Sequence, residues 1–164
     1  MKSMWLVALL GLLASTASAQ QGSVMGTWLT ASGKAQVRIG PCSDPKSGPI
    51  CGYIVGLNNP TGPDGTVVSP EVATDWRNGD PALRGRKVLG MPLIWGFKKT
   101  ADPNTFEGGQ IYNGENGKIY NANISLQPDG KLRQSVATSG DTTVPSGPLG
   151  LLRPTMVPQI APLF

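Results

Sequence analysis

The sequence has 164 residues, and its composition alone excludes several classes of protein. It contains no histidine, so Ser-His-Asp and Cys-His nucleophile systems are excluded, together with His-ligated zinc, iron and copper sites. The 14 basic and 10 acidic residues give a mildly basic charge. The basic residues are scattered except at Arg84-Gly85-Arg86-Lys87 and Lys98-Lys99, and no aromatic residues are interleaved with them. This argues against a nucleic-acid-binding surface.

The first nineteen residues have the pattern of a secretory signal peptide. Lys2 precedes an apolar run from Met4 to Leu13, and Ala17-Ser18-Ala19 supplies the small residues that signal peptidase accepts. The run is short for a membrane span and no second run follows it. We therefore expect residues 1–19 to be removed near Ala19, leaving a periplasmic or secreted protein that is not an integral membrane protein.

Short stretches rich in alternating or β-branched residues, bounded by turn residues, predict about eight strands. The predicted strands are 26–31, 34–40, 51–57, 89–98, 105–112, 118–127 and 131–138, with a weaker candidate at 149–153. An antiparallel sheet of this size can close into a barrel that is filled or holds one small ligand. We predict an all-β fold, with a barrel domain at residues 20–144 and a proline-rich, apolar tail at 145–164 that can include a last strand.

Cys42 and Cys51 are the only cysteines, and they flank the loop between two predicted strands. In an exported protein this arrangement predicts a disulfide across the loop, which would stabilise the fold by roughly 2–3 kcal/mol. A reactive thiol is the alternative, but it would need an activating histidine or metal site.

One long connection, residues 58–88, interrupts the strands. Its Ser69-Pro70-Glu71 segment resembles the start of a helix, and we predict a turn or two of helix over Val72–Arg77.

The segment 105–127 predicts a β-hairpin. After the turn, alternate residues divide into an apolar face and a polar face, the apolar one formed by Tyr120, Ala122, Ile124 and Leu126 together with Lys118. Gly108-Gly109 in the first strand predicts a bulge or a sharp bend.

Carboxylate or tyrosine chemistry remains possible in a chain without histidine. A general acid–base pair could be assembled from Asp75, Asp80, Glu107, Tyr112 and Tyr120. Alternatively, the carboxylates pair with arginine or lysine and the tyrosines cover the core. Since no catalytic motif accompanies these residues, the sequence favours a protein that is not an enzyme, without cofactor or metal.

Several motifs occur in a fixed order along the chain: Gly26-Thr27-Trp28, Ile50 to Ile54, Asp75 to Arg86, Leu89 to Ile94, Gly108 to Tyr112, and Gly117 to Tyr120. Together they resemble the DUF2147 family of exported bacterial proteins over roughly residues 25–130. The resemblance implies a lipocalin-like barrel and brings no known activity. The chain departs from the family pattern at Asn113-Gly114, and in the proline-containing segment 148–158, which replaces the family's closing strand.

Arg84 and Arg86 have two interpretations. If they lie at the barrel mouth with Asp75, Asn78 and Asp80, they can hold an anionic head group by bidentate hydrogen bonds. If they pair with those same acids, the motif is a structural clamp on the long connection.

Two classes of function follow. The leading hypothesis is a binding module for a small, partly apolar or anionic ligand, lined by aromatic residues that would otherwise fill the core: Trp28, Tyr53, Trp95, Phe97 and Tyr120. The alternative is an envelope or protein-interaction module that uses the barrel surface or the tail and binds no small ligand.

Overall fold

The structure is a computed structural model that describes residues 23–136. The predicted signal peptide, the candidate strand at 149–153 and the tail at 145–164 lie outside the described residues. Eight strands are present in this part of the chain: β1 Gly26–Leu29, β2 Ala35–Gly40, β3 Cys51–Leu57, β4 Pro92–Trp95, β5 Lys98–Lys99, β6 Thr105–Asn113, β7 Lys118–Leu126 and β8 Leu132–Val136. The predicted all-β fold is confirmed.

All strand pairings are antiparallel, and they join the strands into one sheet in the order β1-β2-β3-β4-β6-β7-β8. β5 also pairs with β6, so β4 and β5 lie end to end as one interrupted strand position. The prediction of a single strand over 89–98 was therefore wrong. Gly90 and Gly96 both have positive φ, +81° and +76°, and break the extended backbone at these two points.

The β6–β7 hairpin has the predicted bulge. The pairing shifts register between Phe106 and Gly109, and Gly108 adopts a φ of +65°. Gly109 lies directly against the ring of Phe97, where a side chain would have no room. The bulge thus brings an aromatic ring close to the backbone of β6.

The sheet curls into a half barrel around a single large core. One cluster joins buried side chains from most of the strands, including Trp28 of β1, Ile94 of β4, Ile124 of β7 and Leu132 of β8. Side chains alternate along a strand, so this cluster defines the inner face of the sheet.

The two ends of the half barrel differ. At the end that carries the Cys42–Cys51 disulfide, Val24, Ile50 and Phe97 are at most 2% exposed. We call this the sealed end. The other end carries the β1–β2 turn, the β6–β7 turn and the connection 58–91, and we call it the mouth. The predicted disulfide is confirmed.

The short helix predicted at Val72–Arg77 was misplaced. The amides of Val72 and Ala73 both donate to the Ser69 carbonyl, which closes a turn that does not propagate. A 3-10 helix lies instead at Pro81–Leu83, because the Asp80 carboxylate accepts a hydrogen bond from the Ala82 amide and Pro81 occupies the first helical position. A second 3-10 helix lies at Pro45–Ser47. In the part of the chain described, no helix has the length and apolar character needed to cross a membrane.

Candidate functional site

The connection 58–91 docks on the sheet through a buried group of polar side chains. Asp75, Asn78 and Tyr112 are 3%, 5% and 3% exposed, and Arg86 is half-buried beside them. We call these four residues the polar network. Its first and last members, Asp75 and Tyr112, are 37 residues apart in the sequence.

The Asp75 carboxylate is the centre of the polar network. Its Oδ1 accepts a hydrogen bond of 2.6 Å from the Tyr112 hydroxyl. Its Oδ2 accepts one of 2.7 Å from Asn78 Nδ2, and the Nε and Nη2 atoms of Arg86 both lie 2.9 Å from the same oxygen. Asn78 Nδ2 also donates to the Tyr112 hydroxyl at 3.1 Å. The buried charge is therefore paired and fully hydrogen-bonded, as a buried carboxylate must be to persist.

Local backbone pairing brings Asp75 and Arg86 next to each other. The Asp75 amide donates to the Arg86 carbonyl, and the Val88 amide donates to the Ala73 carbonyl, on either side of an isolated antiparallel bridge between Thr74 and Lys87. The connection thus folds back on itself like a short ribbon.

Tyr112 reaches the connection because of strand alternation. Its neighbour Ile111 belongs to the inner core, so the Tyr112 side chain lies on the outer face of β6. It belongs to a second apolar cluster with Ile54 and Met91. Val88 and Leu89 of the connection pack against this cluster, and the tyrosine is buried.

The β6–β7 turn is also held by the connection. Gly117 has a φ of +70°, and its α-carbon lies so close to the Arg77 carbonyl that a β-carbon would collide with it. The Gly79 amide lies 3.4 Å from the Gly117 carbonyl. A glycine is therefore required at this position by both conformation and contact.

Burial changes the acidity of Tyr112. Desolvation, followed by the hydrogen bond to Asp75 and the charge of that residue, raises the pKa of Tyr112 to about 12. Arg86 lowers it in part, and its guanidinium carbon lies 5.2 Å from the centre of the tyrosine ring. Tyr112 therefore stays protonated and donates its hydrogen bond at neutral pH.

The remaining predicted residues of the connection have different partners. Arg84 is exposed, and its Nε donates to the Asn78 carbonyl at 2.8 Å. The Asp80 amide donates to Asn78 Oδ1 at 2.8 Å. The Asp80 carboxylate caps the 3-10 helix. Of the two arginines, only Arg86 pairs with a carboxylate.

Three other predicted residues lie apart from the polar network. Trp95 is on the outer face, where its Nε1 donates to Gln110 Oε1 at 2.9 Å. Glu107 is exposed near the start of β6, opposite Lys98. Tyr120 is on the inner face opposite Ile111, and its hydroxyl accepts from Asn116 Nδ2 at 2.8 Å. Of the predicted acid–base candidates, the structure thus brings only Asp75 and Tyr112 into contact, while Asp80, Glu107 and Tyr120 lie apart from them.

The aromatic lining proposed for a ligand is also divided. Trp28 and Phe97 are 3% and 1% exposed and pack within the inner core. Tyr53 pairs with the exposed Arg38 and lies on the outer face, as does Trp95. Of these five residues, only Tyr120 is both on the inner face and partly exposed. The other two partly exposed rings, those of Tyr53 and Trp95, point outward because side chains alternate along a strand.

Sequence reasoning missed two features of the site. Gly117 could have been found only by knowing that the connection lies against the turn. Gln134, opposite Ile124 on the inner face of β8, is 7% exposed and its Nε2 atom has no hydrogen-bond partner. Across residues 23–136, no group of three or more acidic or cysteine side chains converges as a metal site would.

Comparison with known proteins identifies the fold and the family. A solved structure described as "Protein HP1028 from the human pathogen Helicobacter pylori belongs to the lipocalin family" is similar to this chain, with 18% sequence identity and a TM-score of 0.59. The match covers 82% of this chain and 85% of that chain, so the predicted lipocalin-like fold is confirmed. No curated protein matches the sequence. Residues 26–139 match a family model described as an uncharacterized protein conserved in bacteria, and the chain therefore belongs to the DUF2147 family.

Proposed function

We propose that this protein is an exported binding module for one small, partly apolar ligand, which enters the half barrel at the mouth. The observation that carries the proposal is the difference between the two ends of the inner face. The sealed end is packed with side chains such as Ile50 and Phe97, whereas Tyr120 is only half-buried on the inner face beside the β6–β7 turn. The inner face of the sheet is where small lipocalin-like barrels hold a ligand.

Tyr120 has the chemistry for a partly apolar ligand. Its ring offers an apolar surface, and its hydroxyl, already accepting a hydrogen bond from Asn116, has no acceptor for its own proton among the described residues. That proton is available to an oxygen of the ligand.

The connection contributes a shaped and charged rim. The members of the polar network hydrogen-bond to one another. We therefore assign them to holding the rim rather than to contacting the ligand. Arg84 is different, because only its Nε is used, by the Asn78 carbonyl. Its terminal amino groups suit an anionic head group such as a carboxylate.

The disulfide and the bacterial family support an extracytoplasmic location. Disulfides persist in oxidising compartments such as the periplasm, and the Cys42–Cys51 bond is part of the sealed end. We therefore place the protein in the periplasm or outside the cell, after cleavage near Ala19.

The test uses protein purified from the periplasm of an expressing bacterium. Native mass spectrometry, followed by denaturation and extraction, should detect a co-purifying small molecule. The stripped protein should bind 1-anilinonaphthalene-8-sulfonate, which combines aromatic rings with an anionic group. Decanoate should compete with this probe.

Two matched variants locate the site. Tyr120→Ala should weaken probe binding roughly tenfold, while Ile119→Ala, which removes an exposed side chain on the outer face of the same strand, should leave it unchanged. Equal binding by both variants would overturn the proposal. If the protein carried no ligand and captured an envelope protein only when residues 145–164 were present, the interaction function would replace it.

A further inference from the structure

The outer face of the sheet carries a line of three side chains that belong neither to the polar network nor to the mouth. Trp95 of β4 pairs with Gln110 of β6, which pairs in turn with Asn121 of β7. The residue next to each of them belongs to the inner core, so alternation turns all three side chains outward. We call these three residues the outer row. It crosses two strand spacings and is therefore about 10 Å long.

The outer row presents unused hydrogen-bonding groups beside a partly exposed ring. The Trp95 ring packs against the second apolar cluster and is half-buried, whereas Gln110 and Asn121 are exposed. Trp95 Nε1 donates to Gln110 Oε1, which fixes the ring and this amide relative to each other. Within residues 23–136, Gln110 Nε2 and the Asn121 side-chain amide have no hydrogen-bond partner. The ring and the first amide are thus held in place before anything binds.

A second aromatic residue and a cation extend this surface across the sheet. Tyr53 of β3 lies on the outer face one strand position from Trp95, and the exposed Arg38 of β2 is opposite Tyr53. Among the described residues, neither the Tyr53 hydroxyl nor the Arg38 guanidinium has a partner. From Arg38 to Asn121 the surface covers five strand positions, roughly 20 Å.

The charge of this face is positive. β1, β2, β3, β4 and β7 contain no acidic residue. The described strands hold one carboxylate, that of Glu107 in β6, and it lies opposite Lys98. Arg38 on β2 and the exposed Arg133 on β8 thus lie on strands whose neighbours contain no acid. A partner of complementary charge is therefore an anion.

Sugar rings match the groups of the outer row better than a protein surface does. The carbon–hydrogen face of a pyranose is apolar and stacks on an aromatic ring. Its hydroxyl groups both donate and accept, and a planar side-chain amide answers with an oxygen and an NH2 group. A protein partner needs a contiguous apolar centre to bury, whereas here the exposed amides of Gln110 and Asn121 continue the line from the ring.

We propose that the outer row, together with Tyr53 and Arg38, binds an acidic polysaccharide, a chain of sugar rings that carry carboxylates. Trp95 and Tyr53 stack on sugar rings, and the two amides of the outer row hydrogen-bond to hydroxyl groups. Arg38 holds a carboxylate by paired hydrogen bonds. This site goes beyond the proposed function, because it lies on the opposite face of the sheet from Tyr120 and acts whether or not a ligand enters the mouth.

NMR titration of the isotope-labelled exported protein with tetragalacturonate tests this directly. The probe has a carboxylate on each of its sugar rings. Its addition should shift the indole N–H signal of Trp95 and the side-chain amide signal of Asn121. The fully methyl-esterified tetramer has the same rings without the charge, and it should bind roughly tenfold more weakly because it offers Arg38 no carboxylate.

Matched variants locate the site. Trp95→Ala should weaken binding of tetragalacturonate roughly tenfold. Asn121→Ala changes only an exposed side chain, so it tests the same row without disturbing the core and should weaken binding several-fold. Ser135→Ala, at an exposed position on the same face of β8, should leave binding unchanged. Arg38→Met should remove the preference for the charged probe over its ester.

Three results would overturn the inference. The first is that millimolar tetragalacturonate leaves the side-chain signals of Trp95 and Asn121 in place, and a periplasmic protein that shifts them instead would make this face a protein interface. The second is equal binding by Asn121→Ala and Ser135→Ala. The third is an unchanged preference for the charged probe in Arg38→Met. Tyr120→Ala separates this inference from the proposed function, since it should lose 1-anilinonaphthalene-8-sulfonate and still bind tetragalacturonate.

Discussion

Replacing Arg86 by methionine is the sharpest test of how the connection is held. The substitution keeps an unbranched side chain of similar reach and removes the guanidinium. The Asp75 carboxylate, whose side chain is 2% exposed, then loses two of its four hydrogen-bond donors and its compensating charge. Removing one partner of a buried pair is costly because the other charge is left in a medium of low polarity.

The geometry sets the size of the effect. Breaking a buried ion pair costs about 3–5 kcal/mol, and the lower end applies here because Tyr112 and Asn78 still donate to Asp75. We expect Arg86→Met to lower the free energy of unfolding by about 3 kcal/mol and the melting temperature by roughly 10 °C.

Urea unfolding followed by circular dichroism measures this loss, and Arg84→Met is the matched control. Arg84 lies in the same connection but is exposed and donates only to a carbonyl, so its removal should cost at most about 1 kcal/mol. Combining Arg86→Met with Asp75→Leu should cost less than Arg86→Met alone, since no unpaired charge remains buried. Equal losses from the Arg84 and Arg86 variants would refute the assignment of Arg86 to the polar network.

Two further predictions concern the same region. The pKa of Tyr112 in the folded protein, about 12, lies above the value of about 10 for an exposed tyrosine. The stability that the protonated hydroxyl adds is therefore complete below pH 10 and is lost as the pH rises towards 12. The stability difference between the unaltered protein and Tyr112→Phe, measured by urea unfolding across this interval, should shrink by roughly 2–3 kcal/mol, and a constant difference would contradict the raised pKa. Gly117→Ala should cost about 2–4 kcal/mol because of its positive φ and the Arg77 carbonyl. Gly114→Ala has an ordinary φ, and its β-carbon would make only a van der Waals contact with the Tyr112 ring, so it should change stability by less than about 1 kcal/mol. Similar melting temperatures for the two variants would show that the turn does not rest on the connection.

Local patterns in the sequence were sufficient for much of the fold. Alternation placed Ala122 and Ile124 in the core, and the glycine pair at 108–109 marked the bulge, because both depend only on neighbouring residues. The disulfide was predictable since its two cysteines flank a single hairpin loop.

The candidate site could be predicted only in part, because it depends on contacts between distant segments. Asp75 and Arg86 were found by their motif, but the choice between a ligand site and a clamp needed the position of Tyr112, far along the chain on the outer face of β6. The bulges and glycines that turn strands also decide which face a ring occupies, so Tyr53 and Trp95 could not be assigned to the outer face from spacing alone.

The mouth is held unequally on its two sides. On the connection side, the buried polar network and Gly117 fix the β6–β7 turn. The only ion pair recorded across the mouth among the described residues joins Lys34 to Glu115, both largely exposed, and such pairs contribute at most about 1 kcal/mol. The β1–β2 side of the mouth is therefore held more weakly than the β6–β7 side. A ligand beside Tyr120 would therefore rest against the firmly held side, and Lys34→Ala should weaken its retention far less than Tyr120→Ala does.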